Sequence, residues 1–91
     1  MINAIVLIHA DNARIPETAQ AVADTLGVTE VYSCAGDVDL IAMVRVRGHE
    51  QIAEVVTGRI DKVPGVQRTT THIAFKSYSR ADAEDGFSIG E

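Results

Sequence analysis

The sequence predicts an α+β fold in which a strand–helix–strand unit occurs twice, and three observations carry that prediction. Residues 2–9 (INAIVLIH) are apolar on both faces, and residues 40–47 (LIAMVRVR) are so through Met43, as strands covered on both faces are. Two other segments carry apolar residues at helical spacing. One has Ala19, Val22, Ala23 and Leu26; the other has Ile52, Val55, Val56 and Ile60. The halves also echo each other, because Leu26-Gly27-Val28-Thr29 and Pro64-Gly65-Val66-Gln67 each lead from a helix into a strand. The order βαββαβ is the ferredoxin-like arrangement. Right-handed crossovers then place both helices on one face of a four-stranded antiparallel sheet, with the first and third strands central.

Each element has its own signals. In the opening strand Ile5 and Leu7 point one way and Ala4, Val6 and Ile8 the other. Pro16 suits the first turn of the helix that follows, where its missing N–H costs nothing, and Glu17 suits the positive end of that helix. Gly27 stands where a C′ glycine would end it. Residues 28–35 (VTEVYSCA) read as the second strand and Gly36-Asp37-Val38-Asp39 as a turn, so the second and third strands form a hairpin. Gly48 opens the second helix, and Val63-Pro64-Gly65 stops it. Residues 66–78 carry the fourth strand. Residues 79–91 are polar and acidic, and read as a tail that is mobile or ordered by a partner. The domain is thus residues 1–78 and the tail 79–91.

Size and charge narrow the function. The 91 residues make one domain, and a chain this short buries only about 60–65% of its unfolded surface. Eight basic against thirteen acidic residues argue against direct nucleic-acid binding, and equally against an anionic membrane surface. No apolar run is long enough for a signal peptide or a membrane span, so the expected location is the cytoplasm. The single cysteine excludes an intramolecular disulfide and a multi-cysteine metal site. Helices cover one sheet face only, yet both central strands are apolar on both faces. The uncovered face is therefore expected to pack on another subunit, or else under the tail.

Candidate chemistry is sparse. Asp37 and Asp39 are placed for acid–base work or a hard cation, but no further oxygen ligand is spaced for a calcium loop, and Gly-Asp is ordinary turn chemistry. His9, His49 and His72 share no metal-ligand spacing, so no metal or cofactor is expected. Cys34 reads as a small buried hydrophobe rather than a nucleophile, since no base or cation is adjacent to it. Thr69-Thr70-Thr71 fits strand propensity. Thr69 and Thr71 share one face and can offer hydroxyls to a polar ligand. Arg45 and Arg47 mark where the third strand emerges into water. No phosphate loop or nucleophile elbow is present.

Together, NAIVLIHA, AGDVDLIAMVRV and IDKVPGVQRTTTHIAFKSY resemble the ligand-sensing domain of the Lrp/AsnC family, the feast/famine regulators, over residues 2–78. The combination of Gly36-Asp37-x-Asp39, Pro64-Gly65-Val66 and Thr69-x-Thr71 carries the resemblance. Members usually have an N-terminal helix-turn-helix that reads DNA. This sequence starts at the first strand and is similar to the stand-alone form. The resemblance implies a non-catalytic module of transcription regulation that binds a small effector, commonly an amino acid. It implies homodimers joined through sheet faces and assembled into octamers or larger rings, and association with full-length relatives. It also implies effector contacts at Gly36, Asp37, Val38, Asp39, Thr69 and Thr71. A glycine turn can hold an α-carboxylate on backbone N–H groups, and an aspartate can pair with an α-ammonium. The third loop position, often aromatic in the family, is Val38 here.

Two other functions fit the same fold, since function lives in the site. A small dimeric α+β-barrel enzyme of the monooxygenase type needs a concave pocket with placed polar groups, and the few aromatics and scattered histidines count against it. An amino-acid-binding module of the ACT type would hold its ligand near Gly27 or Gly65.

Overall fold

The computed structural model describes residues 1–80. Its elements are β1 (Ile2–Ala10), α1 (Ile15–Ala23), β2 (Val28–Ser33), β3 (Leu40–Val46), α2 (His49–Val56) and β4 (Val66–Ala74), with short 3-10 turns at Asn12–Arg14 and Ile60–Lys62. The sheet order is β2-β3-β1-β4, and every neighbouring pair is antiparallel. The predicted ferredoxin-like fold, with β1 and β3 central, is the observed one.

Strand alternation divides the side chains of the central strands cleanly. Ala4, Val6, Ile8 and Ala10 of β1 and Leu40, Ala42, Val44 and Val46 of β3 are buried under the helices. Val22 of α1, Ile52, Val55 and Val56 of α2, and Ile60 close that core. The opposite face carries Ile5 and Leu7 beside Met43 and Ile41, with Tyr32 next in line on β2. The first four are half-buried within the chain, and Tyr32 is exposed. No element among the described residues covers this face.

The echoing Gly27 and Gly65 do equivalent work. Their φ angles are +99° and +97°, in the region that favours glycine. Each also abuts the helix of the other half. A Cβ on Gly27 would lie 2.5 Å from Val55 Cγ2 of α2, and one on Gly65 would collide with Thr18 Oγ1 of α1. Thr18, a buried polar residue, donates its hydroxyl to Pro64 O at 3.1 Å, so α1 is stitched to the turn that starts β4.

Several boundaries differ from expectation. Helix α1 ends at Ala23, and Thr25 N–H bonds Val22 O in a tightened turn. Leu26 therefore leaves the apolar stripe and is 76% exposed. Gly27 is not the C′ residue of α1 but the turn into β2. Ile60 is not on α2: the helix stops at Val56, and Ile60 is buried from the separate 3-10 turn. Gly48 does cap α2, and Gln51 Oε1 accepts the N–H groups of Arg47 and Gly48 at 2.8 and 3.0 Å. Strand β2 stops at Ser33, two residues early, and β4 at Ala74, leaving Phe75 96% exposed. Cys34 is half-exposed rather than buried, with Sγ 3.7 Å from Tyr32 O. Of the expected tail, residues 81–91 lie outside the described residues.

Candidate functional site

The loop that joins β2 to β3 is anchored by its last residue. Cys34 N–H donates to Asp39 O at 2.9 Å, which closes the hairpin. Asp39 N–H donates to Ile8 O at 3.0 Å, and its Oδ2 accepts Ala10 N–H at 2.8 Å. One residue thus straps the hairpin end to the end of β1. An ionised acceptor makes the stronger kind of hydrogen bond.

With Asp39 committed to the backbone, the rest of the loop is open. Gly36 and Asp37 are exposed, and a Cβ at Gly36 would meet nothing within 4 Å. Gly36 has φ +137°, so glycine is needed there for backbone conformation alone. Among the described residues the N–H groups of Gly36, Asp37 and Val38 donate to no protein acceptor, and the Asp37 carboxylate has no partner. Val38 is half-buried.

Thr69 and Thr71 do share a face, and it is the helix face: they pair with Ile8 and Val6 across β1. Thr69 Oγ1 donates to Asp61 Oδ1 at 2.7 Å, a partner that sequence spacing did not suggest. Strand β1 lies between the loop and this threonine pair, so two inter-strand spacings, about 9–10 Å, separate Leu40 from Thr69. Within one chain the structure gathers Asp39 with Ala10 and Thr69 with Asp61. It makes no hydrogen bond between the loop and the threonines.

The uncovered face has polar flanks. Arg68 Nη2 lies 3.0 Å from His9 Nε2 and is the donor of that contact, because a guanidinium has no acceptor. Thr70 and His72 sit on the same side, opposite Leu7 and Ile5. Glu30, beside Tyr32 on edge strand β2, raises the tyrosine hydroxyl above its ordinary pKa of 10.0, chiefly because the neutral phenol donates to the carboxylate. No group of three or more His, Cys, Asp or Glu is placed to hold a metal among the described residues. No described helix is long and apolar enough to cross a membrane.

A second concavity lies at the far end of β1, where the chain starts and β3 ends. Exposed Leu26 and three arginines line it, and the sequence offered no signal for it because these residues come from three separate segments. Gly27 lines it too, whereas the corresponding Gly65 is packed against Thr18.

A family model described as the Lrp/AsnC ligand binding domain matches residues 3–83. An uncharacterised HTH-type transcriptional regulator of Pyrococcus horikoshii is 31% identical over 75 residues, which are 82% of this chain and 50% of that protein. The chain spans 39–50% of the length of the curated relatives it matches. A crystal structure of a Thermus thermophilus protein superposes with a TM-score of 0.81 at 42% identity, over 88% of this chain and 100% of that one. A feast or famine regulatory protein from M. tuberculosis, solved in complex with L-methionine, superposes with a TM-score of 0.72 over 88% of this chain and 54% of that one. At 23% identity the last likeness is one of fold.

Proposed function

This chain belongs to the Lrp/AsnC ligand-binding domain family, and from that premise we propose that it is a non-catalytic sensor of a small molecule, an amino acid, in transcription regulation. The observation that carries the reading is the loop at Gly36, Asp37 and Val38. Among the described residues, three consecutive N–H groups without a protein acceptor stand beside an unpartnered carboxylate, while Asp39 fixes the loop to β1. An α-amino acid carries the complementary pair of charges: its carboxylate suits the N–H groups and its ammonium suits Asp37. That an M. tuberculosis relative of the same fold was solved with L-methionine supports the ligand class.

The effector site, in this reading, takes Gly36, Asp37, Val38 and Asp39 from one chain and Thr69 and Thr71 from an apposed copy. The strand between the two groups supports a site shared by subunits, because one chain does not bring them into contact. The uncovered apolar face at Ile5, Leu7, Ile41 and Met43 supports a homodimer through sheet faces, and dimers then associate into an octamer or larger ring that works in the cytoplasm with full-length regulators. Effector binding at such an interface shifts assembly by linkage.

Titration of the full chain with each of the twenty amino acids, read by calorimetry and by oligomer mass, tests this. Saturable binding of one or a few, lost in D37A, is the expected result. Binding that survives unchanged in D37A overturns the site, and no saturable binding overturns the ligand class.

A further inference from the structure

We propose that the cleft at the other end of the sheet is a second ligand site, and that it takes a small organic carboxylate with an apolar tail. It measures about 320 Å³. That is at the lower end of the roughly 300–1,000 Å³ typical of small-molecule pockets. It lies one strand length, about 25 Å, from the loop at residues 36–39, because β1 runs from one to the other. This inference does not rest on the effector reading above.

The charge of the cleft is opposite to that of the chain. The chain carries a net charge of −5, yet three of its eight basic residues, Arg45, Arg47 and Arg59, line this one concavity. Among the described lining residues Glu54 is the one carboxylate, so three guanidinium groups against it leave the side chains of the lining a net +2. None of the three arginines is in an ion pair with a carboxylate of the described residues. Arg59 Nη1 donates to Leu26 O at 3.0 Å, which holds that guanidinium at the cleft wall with its other N–H donors available. Guanidinium groups bind carboxylates through paired, charge-assisted hydrogen bonds.

The rest of the lining is apolar and shaped by backbone. Leu26 stands 76% exposed at the rim, and Val46 and Val55 are buried at the base. A large apolar residue left in water beside cationic groups is the composition of a pocket for an amphiphilic anion rather than for an inorganic ion. Gly27 keeps the strand start pressed on Val55 with no room for a Cβ, which sets the depth of the cleft. The cationic lining supplies the partner for a carboxylate, and exposed Leu26 beside it supplies contact for an apolar tail.

Calorimetric titration of the full chain with 4-methyl-2-oxopentanoate tests this, with inorganic phosphate as the control anion. Saturable binding with a dissociation constant of about 1 mM is expected. R47Q and L26E each weaken it about tenfold, since one removes a donor and the other places a carboxylate in the cleft. Both positions are exposed, so both variants keep their melting temperature. D37A leaves the affinity unchanged, which separates this site from the effector loop. The proposal is overturned by absence of saturable binding, by affinity that is unaltered in both R47Q and L26E, by loss of binding in D37A, or by phosphate binding as tightly as the carboxylate.

Discussion

Asp39 accepts the backbone N–H of Ala10 through Oδ2 at 2.8 Å, 29 residues away in sequence, and by this contact the β2–β3 hairpin is fastened to the last residue of β1. The two aspartates of the loop therefore have different work. Asp39 is a structural acceptor. Asp37, two residues before it, has its carboxylate free among the described residues.

That division predicts a split between stability and binding. D39A leaves the half-buried N–H of Ala10 without its partner and should lower unfolding free energy by about 1–3 kcal/mol. D37A should change it by less than about 0.5 kcal/mol. Urea denaturation of both variants checks this, and equal losses in the two would show that the strap carries no special share of stability.

The glycines predict a second contrast. G65A meets both a positive φ and the Thr18 hydroxyl, whereas G36A meets a positive φ in open space. G36A should cost about 1 kcal/mol, the penalty of a left-handed alanine, and G65A clearly more because α1 must also shift. Thermal unfolding of the two, measured at one protein concentration, should rank them in that order.

The apolar sheet face predicts an assembly defect. L7K puts an ammonium at the middle of the uncovered face, opposite Ile41 on one side and Thr70 on the other. Burying that charge without a partner costs several kcal/mol, so the proposed sheet-face dimer should dissociate. Light scattering after gel filtration reads the mass directly, and a variant of unaltered mass would place the subunit contact elsewhere.

Tyr32 predicts a titration. A phenolate next to the Glu30 carboxylate is disfavoured by both the lost hydrogen bond and like charge, so the tyrosine holds its proton to higher pH. The pKa in the folded state is raised, so the linked contribution to stability is present below the ordinary value of 10.0 and lost as pH rises through the raised one. E30Q should move the Tyr32 titration, followed by ultraviolet absorbance, down towards that ordinary value.

The sequence by itself determined the fold, because the signals involved are local. Continuous apolar runs mark β1 and β3 as central, helical spacing marks α1 and α2, and the Gly27 and Gly65 echo marks the two strand entries. It also pointed to one sheet face that is apolar and left bare by the helices, since strand alternation and right-handed crossovers put both helices on the other face. The family resemblance over residues 2–78 rests on the same local segments.

What only the tertiary structure decided is which groups remain free once non-local partners are assigned. Asp37 and Asp39 look alike in sequence; β1 takes one and leaves the other. Thr69 reads as a free hydroxyl until the turn after α2 brings Asp61 within 2.7 Å. Leu26 continues a helical stripe on paper, but the early stop at Ala23 turns it outward, and there it meets Arg45, Arg47 and Arg59 from other segments. Hydrogen-bond partners and clefts are set by residues far apart in the chain, and no local periodicity encodes them.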